Sequence, residues 1–335
     1  MGTAFDKLGA STSLTVRFSL DATPAQLLAM DKLEPSGTPA TAADAKAISG
    51  LGASLTLSAD KPLKDVLDAE QTANGRPDPS VNLDFEVHTG DGKSLAEIRD
   101  VKGMEYLRLD VNAIVRLSGD PAATDAVSGL EQMIGQMPPA LAPLKSLIKG
   151  KWISIDPKKL DELAKGLDGE AGADTPSAAP SLDSATKNKL VSALAGVFSR
   201  DVTLTDKGTV NGRDHVVVEA PARKLVADVQ KALAPIAKSI PGVGGSFPTA
   251  APTGVPTGKA SADILIDKDG SLSELSMDLG QLDPKAAAAK AQLPASVSFD
   301  TKAAATTAPA GAVAFDPSAL QDLVKSFLGA DPLAG

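Results

Sequence analysis

The sequence predicts an α+β fold in which blocks of antiparallel strands are separated by amphipathic helices. Three observations carry this prediction. Apolar and polar residues alternate from Val81 to Val111, a helical apolar stripe runs from Val127 to Ile148, and a second alternating hairpin surrounds Asp267 to Gly270. A chain of 335 residues that is 43% hydrophobic can bury a substantial core. We expect residues 1–335 to form a single domain.

The N-terminal part of the chain predicts two strands. Apolar residues of the first alternate with polar ones, at Leu14, Val16, Phe18 and Leu20. Alternation of this kind places the apolar side chains on one face of a strand. The second strand is expected over residues 53–59, where Leu55 and Leu57 repeat the pattern. We expect only a short helix, at residues 25–30, in the polar and proline-containing segment between them.

An antiparallel meander is expected at the centre of the chain. Its first strand carries four apolar residues on one face: Val81, Leu83, Phe85 and Val87. The residues at 89–92, Thr-Gly-Asp-Gly, have the turn chemistry that lets the chain reverse. A second run follows through Leu95, Ile98 and Val101, and after Lys102-Gly103 a third places Leu107, Leu109 and Val111 on one face.

The sequence period changes to a helical one after the meander. Apolar residues are then three or four positions apart, at Val127, Leu130, Ile134, Met137, Leu141, Leu144 and Ile148. Pro138-Pro139 interrupts the stripe, because the residue before a proline avoids the helical region. We therefore expect two short helices, with the apolar face of the sheet as their partner.

The second half of the chain continues the same alternation of strands and helices. We expect small-residue loops, mobile in character, near 168–182 and 241–258. The first predicted elements of this half are a strand at 151–155 with the single Trp, a helix capped by Asp156 and a helix at 182–199. A hairpin at 202–220 follows, with its turn at Asp206 to Gly208 and a second turn-like pair at Asn211-Gly212. The remaining elements are a helix at 222–240, a hairpin at 260–282, a strand at Val297 and Phe299, and a helix capped by Asp316.

Composition excludes several classes of function. The formal net charge is -9, and Lys and Arg are scattered without a basic stripe, so we expect no nucleic-acid partner. The absence of Cys excludes disulfides, thiol nucleophiles and Cys-ligated zinc. No apolar run reaches the ~20 residues of a membrane span, and no signal peptide is evident at the first residue.

Motifs that could carry chemistry have simpler interpretations. Asp267-Lys268-Asp269-Gly270-Ser271 lacks the Gly and Glu positions of an EF-hand, so we interpret it as a hairpin turn. Only His88 and His215 are present, and no Gly-x-Ser-x-Gly elbow accompanies them. The Gly-rich segment at 242–246 lacks the Lys-Ser/Thr of a phosphate loop. We therefore predict no catalytic residue, no metal site and no cofactor.

The apolar strand residues are the remaining signal. They are typical of an ordinary filled core, but the helices are short and interrupted by proline, so they would cover the sheet incompletely. We therefore predict a cavity for a hydrophobic ligand between sheet and helices. Its candidate lining residues are Leu14, Val16, Phe18, Leu20, Leu55, Leu57, Val81, Leu83, Phe85, Val87, Leu107 and Leu109, with Met133, Ile134 and Met137 as a lid.

Several segments resemble one protein family. They are the strand at residues 14–20, Gly103-Met104-Glu105-Tyr106-Leu107-Arg108-Leu109, Gly150-Lys151-Trp152-Ile153-Ser154-Ile155, Val210-Asn211-Gly212-Arg213-Asp214-His215-Val216-Val217 and Ile266-Asp267-Lys268-Asp269-Gly270. Their order is similar to that of the LppX/LprG-type envelope lipoproteins of actinobacteria, which are related in shape to the LolA and LolB carriers. The resemblance implies an incomplete, strongly curved antiparallel β-barrel with helices packed on its concave face.

The resemblance also implies a function and a location. Members of this family bind acylated lipids or lipoprotein chains, and their mature form carries a lipidated N-terminal Cys. We expect the signal and the anchoring Cys to lie outside this sequence, and the protein to be a monomer attached to the membrane surface of the cell envelope. The prediction is thus a non-enzymatic lipid carrier. The alternatives are an envelope interaction or sensor module with a filled core, and a hydrolase with an unrecognised site.

Overall fold

The computed structural model describes residues 2–33, 39–67, 80–118, 121–135, 139–159, 200–237 and 254–319. Several predicted features lie outside these ranges: Met137, the helix at 182–199, the loop at 168–182, most of the loop at 241–258, and the helices that begin at Asp156 and Asp316 beyond their first residues. The described residues form a mixed fold of helices and one large sheet.

The sheet has twelve strands and does not close on itself. Their order across the sheet is β12-β6-β5-β4-β3-β2-β1-β11-β10-β9-β8-β7, and all neighbours are antiparallel except β12 and β6. The strands are β1 (Ser13–Leu20), β2 (Gly52–Ala59), β3 (Val81–His88), β4 (Ser94–Val101), β5 (Met104–Leu109), β6 (Ile153–Ile155), β7 (Thr203–Val210), β8 (Arg213–Pro221), β9 (Lys259–Ile266), β10 (Leu272–Asp278), β11 (Pro294–Asp300) and β12 (Val313–Phe315).

The helices lie between these strands in the sequence. They are α1 (Gly2–Ala10), α2 (Pro24–Leu33), α3 (Ala42–Ile48), α4 (Leu63–Leu67), α5 (Val111–Ser118), α6 (Pro121–Gly135), α7 (Ala142–Ile148), α8 (Ala222–Ala237) and α9 (Pro284–Ala289). Short 3-10 turns occupy Pro139–Leu141 and Leu279–Leu282. The predicted stripe from Val127 to Ile148 is therefore divided between α6 and α7, as its two prolines indicate.

Strand register gathers the predicted apolar side chains on one face of the sheet, here called the apolar face. Val16 is paired with Leu55, and Leu55 with Phe85. Phe85 is in turn paired with Ile98 on β4. Side chains at directly opposed positions of neighbouring strands project to the same side of a sheet. The opposite face carries the alternating polar residues and is called the polar face.

Two clusters of buried side chains lie at opposite ends of the apolar face. Ala4 and Leu8 of α1 pack against Ile264 and Leu272, which belong to β9 and β10. Leu141, beside α7, packs against Ile153 and Ile155 of β6 and Phe315 of β12. Each cluster contributes stability through burial, at about 1.5–3 kcal/mol for a fully buried large aliphatic side chain.

The structure corrects two details of the predicted elements. Val111 begins α5 instead of ending the third strand of the meander, because Asp110 caps a helix there: its Oδ1 accepts a hydrogen bond from Ala113 N–H at 2.7 Å. The hairpin of β7 and β8 turns at Asn211-Gly212, the second turn-like pair, and not at Asp206 to Gly208, which the sequence favoured. Asn211 and Gly212 both have positive φ, at 52° and 77°, as a tight two-residue hairpin turn requires.

Candidate ligand-binding groove

Large apolar side chains are exposed on the part of the apolar face that lies between the two buried clusters. Phe18, Phe85 and Ile98 are 44%, 39% and 45% exposed, although the strand pattern places them on the same face as the buried clusters. Phe85 and Ile98 are direct register partners. An exposed, contiguous apolar surface on a globular protein usually marks a binding surface. We call this surface, together with the pocket beside it, the central groove.

The pocket has a volume of about 580 Å³, within the range of roughly 300–1,000 Å³ typical of small-molecule sites. Helices α3 and α5 form one side of it and strands β3 and β4 the other. Its lining residues are Asp44, Ala47, Ile48, Leu51, Val87, Leu95, Ala96, Ile114 and Leu117. All of them except Asp44 are apolar, so the pocket suits a hydrocarbon better than a polar substrate.

Asp44, the carboxylate in the described part of the pocket lining, is hydrogen-bonded at the start of its own helix, α3. Thr41 Oγ1 accepts a hydrogen bond from Asp44 N–H, and Asp44 Oδ2 accepts one from Thr41 N–H at 2.7 Å. The bond from Thr41 N–H, together with a hydrogen bond from the Thr41 side chain, stabilises the ionised carboxylate, so the pKa of Asp44 lies below its ordinary value. This reciprocal capping box fixes the beginning of α3 and thereby the position of Ile48.

Two glycines let the loop after α3 approach the meander closely. Gly50 has φ +74°, and a Cβ at this position would lie 2.8 Å from Gly90 Cα. Such a distance is too short for any side-chain carbon. Gly90 belongs to the turn between β3 and β4. The close contact of the two backbones brings Ile48 and Leu51 next to Val87, and it explains why the pocket lies at this end of β3.

Helix α5 lies next to α3 and completes the helical side of the pocket. It follows β5 directly because Asp110 caps it, and it carries Ile114 and Leu117 into the lining. Ile114 is 39% exposed, which is similar to the exposure of Phe18, Phe85 and Ile98 on the apolar face. The two helices contact each other, so α3, α5 and the sheet enclose the pocket on three sides.

The predicted lining residues divide by position along the apolar face. Val87 lines the pocket, and Phe18 and Phe85 lie in the exposed centre. Leu14 packs with the α1 cluster and Leu107 with the α7 cluster, while Val81 is 3% exposed, so these three lie in filled regions instead of the groove. The remaining predicted strand residues are half-buried on the same face: Val16, Leu20, Leu55, Leu57, Leu83 and Leu109.

Of the predicted lid residues, only Met133 has a described side chain, and it is not among the residues that line the pocket. Met133 is 53% exposed on α6, and the side chain of Ile134 is not described. A lid role for these residues stays a prediction. Sequence reasoning missed Ile48, Leu51, Ile114 and Leu117, because it did not predict α3 and α5. Two signals could have found these helices: the capping-box spacing of Thr41 and Asp44, and Asp110 as an N-cap.

The polar motifs of the sequence do not converge on a site. His215 Nε2 lies 2.7 Å from Asp263 Oδ1 on strands β8 and β9, and His88 Nδ1 lies 3.1 Å from Thr89 O at the end of β3. Asp267 to Ser271 forms a hairpin turn, closed by Gly270 N–H donating to Asp267 O at 2.7 Å. Among the described residues, no group of three or more His, Asp or Glu is arranged to hold a metal ion.

Comparisons with known proteins add no relative. No protein-family model matches the chain. A search of curated proteins also returns no match. Within the described ranges, no helix combines the length and the apolar character that crossing a bilayer requires.

Proposed function

We propose that the central groove binds the acyl chain of a lipid, or a similar hydrophobic ligand, without chemical conversion. The observation that carries the proposal is the uncovered stretch of apolar sheet between two packed ends. Phe18, Phe85 and Ile98 are exposed there, and an almost wholly apolar pocket adjoins them. A filled core would bury such side chains, whereas an acyl chain would cover them.

Burial of hydrocarbon supplies enough free energy for this role. Each methylene removed from water contributes ~0.8 kcal/mol, so ten give a gross ~8 kcal/mol, which corresponds to about micromolar affinity before the costs of association. Such a ligand needs no polar anchor. This agrees with a lining in which Asp44 is the only polar residue among those that the structure describes, and Asp44 is already hydrogen-bonded to Thr41.

The proposal includes a shape and a location. We propose that the open sheet curves as an incomplete barrel, with the helices on its concave side, and that the protein works as a monomer at the bacterial cell envelope. The order of the strands and of the one Trp-bearing segment resembles that of envelope lipoproteins of the LppX/LprG type and supports this part. A lipid anchor on an N-terminal Cys outside the sequence would then hold the protein at the membrane surface.

Ligand binding is tested with Ile98→Lys. The purified protein is titrated with a fluorescent fatty acid, and protein from a lipid-containing host is examined by native mass spectrometry. We expect wild type to carry lipid adducts and to bind the probe with about micromolar Kd. A lysine at Ile98 places a charge on the groove floor, so we expect at least about a tenfold loss of affinity, roughly 1.4 kcal/mol.

Val210→Lys is the matched control. Val210 is 42% exposed, close to the 45% of Ile98, but it is paired with Arg213 beside the β7–β8 turn, away from the groove. We expect this variant to bind like wild type. An adduct-free wild type that takes up no fatty acid would contradict the proposal and favour an interaction or sensor module. Equal loss in both variants would also contradict it, since the effect would not belong to the groove.

A further inference from the structure

A segment of chain crosses the polar face of the sheet. Residues 301–312, here called the strap, connect β11 near the middle of the sheet to β12 at its edge. In the strand order, β1 to β6 lie between these two strands. The strap therefore passes the polar sides of several strands before it delivers β12 to its parallel pairing with β6.

Hydrogen bonds to the polar face and to the sheet edge hold the strap in place. Thr306 N–H donates to Ser58 Oγ on β2 at 3.0 Å, in a buried position. Arg99 of β4 donates from Nη1 to Thr307 O at 3.1 Å. Val313 N–H, where the strap becomes β12, donates to the carbonyl oxygen of Trp152 at 3.0 Å. Only the Arg99 bond comes from a charged side chain, so it is the one that depends on the electrostatics below the strap.

Arg99 belongs to a charged cluster on strands β3, β4 and β5. Its Nε lies 3.1 Å from Asp84 Oδ2, and its Nη2 lies 2.5 Å from Glu97 Oε1. Arg108 lies 2.8 Å from Glu97 and 3.7 Å from Glu86. With all groups ionised, three carboxylates face two guanidinium groups, and the cluster carries one excess negative charge in a partly buried position.

The single Trp of the chain reports on this cluster. The guanidinium carbons of Arg99 and Arg108 lie 4.9 Å and 5.3 Å from the centre of the Trp152 ring. Both distances are within the range of cation–π contacts. A change in the position of Arg99 or Arg108 therefore changes the surroundings of the indole ring directly.

Three buried polar atoms near the strap have no hydrogen-bond partner among the described residues: Ser13 Oγ, Asp84 Oδ1 and Thr306 Oγ1. They lie close together by register. Ser13 is the partner of Ser58, which holds Thr306, and Asp84 is the partner of Thr56, two residues before Ser58. A buried polar atom without a partner destabilises the conformation that buries it. A buried carboxylate oxygen without a donor is the most costly of them when Asp84 is ionised.

Burial raises the pKa of Asp84 to about 6, from an ordinary value of 3.8. Arg99 lowers this pKa by attraction, whereas Glu97 raises it by charge repulsion and by a side-chain hydrogen bond, and Glu86 raises it by charge repulsion. The charged groups around Asp84 are thus Glu86 on its own strand, Glu97 and Arg99 on β4, and Arg108 on β5, which reaches it through Glu97.

We propose that Asp84, Arg99 and the Thr307 carbonyl form a proton-controlled clasp that closes the strap against the polar face when Asp84 is protonated and loosens it when Asp84 is ionised. Protonation of Asp84 removes the excess negative charge below the strap. Arg99 then pairs with Glu97 and donates its hydrogen bond to the Thr307 carbonyl oxygen. On ionisation the proton passes to solvent, and opening of the strap hydrates the carboxylate. This proposal does not depend on lipid binding.

Loosening of the strap has a route to the apolar face. The strap continues into β12, whose Phe315 is 7% exposed in the cluster with Leu141, Ile153 and Ile155. That cluster lies beneath α7 at one end of the apolar face. A strap that is held less tightly therefore weakens the anchoring of the edge strand on which this cluster depends.

Amide hydrogen exchange of Thr306 tests the clasp. Its N–H is buried on Ser58, so it exchanges only when the strap opens. Asp84 has its ordinary pKa in the open strap and a raised pKa in the closed one. The stability of the closed strap is therefore complete below about pH 4 and is lost as the pH rises through about 6. After correction for intrinsic exchange, we expect opening to increase by roughly 10- to 100-fold from pH 4.5 to pH 7.5.

Asp84→Asn should abolish this increase, because its amide does not titrate. Asp267→Asn is the matched control: Asp267 pairs with Arg213 Nε at 3.1 Å, the same distance as in the Asp84–Arg99 pair, but it lies in the β9–β10 turn and its partner lies on β8, outside the charged cluster around Asp84. We expect this control to keep the wild-type pH dependence. Opening that does not change with pH in wild type, or that keeps its increase in Asp84→Asn, would overturn the proposal.

Trp152 fluorescence of the wild-type protein gives a second measurement that needs no variant. We expect its emission to change with a midpoint near pH 6 as Asp84 ionises and the guanidinium groups shift. This keeps the test decisive if Asp84→Asn does not fold. Emission that stays constant between pH 5 and pH 7 would overturn the proposal.

Discussion

Gly50 is the residue on which the geometry of the pocket depends most directly. It combines φ +74° with a backbone contact so close that a Cβ would lie 2.8 Å from Gly90 Cα. The positive φ and the close backbone contact can be tested separately in this chain. Gly92 has φ +78° in the neighbouring turn, but a Cβ there would meet no atom within 4 Å.

Comparison of Gly50→Ala with Gly92→Ala therefore isolates the close contact. Both variants place alanine in the left-handed region, at a cost of about 1–2 kcal/mol. Gly50→Ala must in addition push the meander turn away, so we expect it to lose a further 1–3 kcal/mol or so in the free energy of unfolding. Urea denaturation measures both values. Equal losses in the two variants would show that the backbones are not in tight contact.

At the scale of elements, strand β12 is short but anchors one edge of the sheet. It has three residues, and its only buried one is Phe315, in the cluster with Leu141 and the two isoleucines of β6. Val313 in the same strand is 40% exposed. Comparison of substitutions at Phe315 and at Val313 therefore separates the contribution of buried packing from the general effect of a substitution in this strand.

Phe315→Ala should destabilise the protein by about 3–5 kcal/mol, because it removes a buried aromatic ring and leaves a cavity. Val313→Ala, the control, should cost less than about 1 kcal/mol, since its side chain is partly in water already. Thermal or urea unfolding gives both numbers. A small effect at Phe315 would mean that β12 contributes little to the edge of the sheet.

Elements with a long, regular period could be predicted from the sequence, and short ones could not. β1, β2, β3 and the β9–β10 hairpin follow from strict alternation, because a half-buried strand exposes every second side chain. β12 has only three residues, too few to show a period. α3 has seven residues, four of them alanine, so its apolar stripe is weak, and tertiary contacts decide its existence.

The candidate site shows the same limit. Alternation identified Phe18, Phe85 and Val87 as members of one face, and register confirms it. Alternation cannot say which part of that face a helix covers. Leu14 and Leu107 follow the same pattern, yet they pack beneath α1 and beside α7. The helices that form the pocket, α3 and α5, were the ones that the sequence did not predict.

At the scale of the whole molecule, the sheet combines two packed ends with an open centre. The cluster at α1 and the cluster at α7 each bury their part of the apolar face. The strands between them carry exposed Phe18, Phe85 and Ile98 beside a pocket of about 580 Å³. On the other face, the strap and its charged cluster connect the middle of the sheet to the edge strand.

Methyl NMR with a nitroxide-labelled fatty acid tests the central claim, that a hydrocarbon chain lies in the groove, most directly. A spin label carried on the acyl chain broadens the signals of nearby methyl groups. We expect strong broadening of the Ile98 and Ile114 methyls and little at Ile153, which is 1% exposed beside α7. Broadening spread evenly over all three isoleucines, or none at saturating ligand, would contradict a ligand in the central groove.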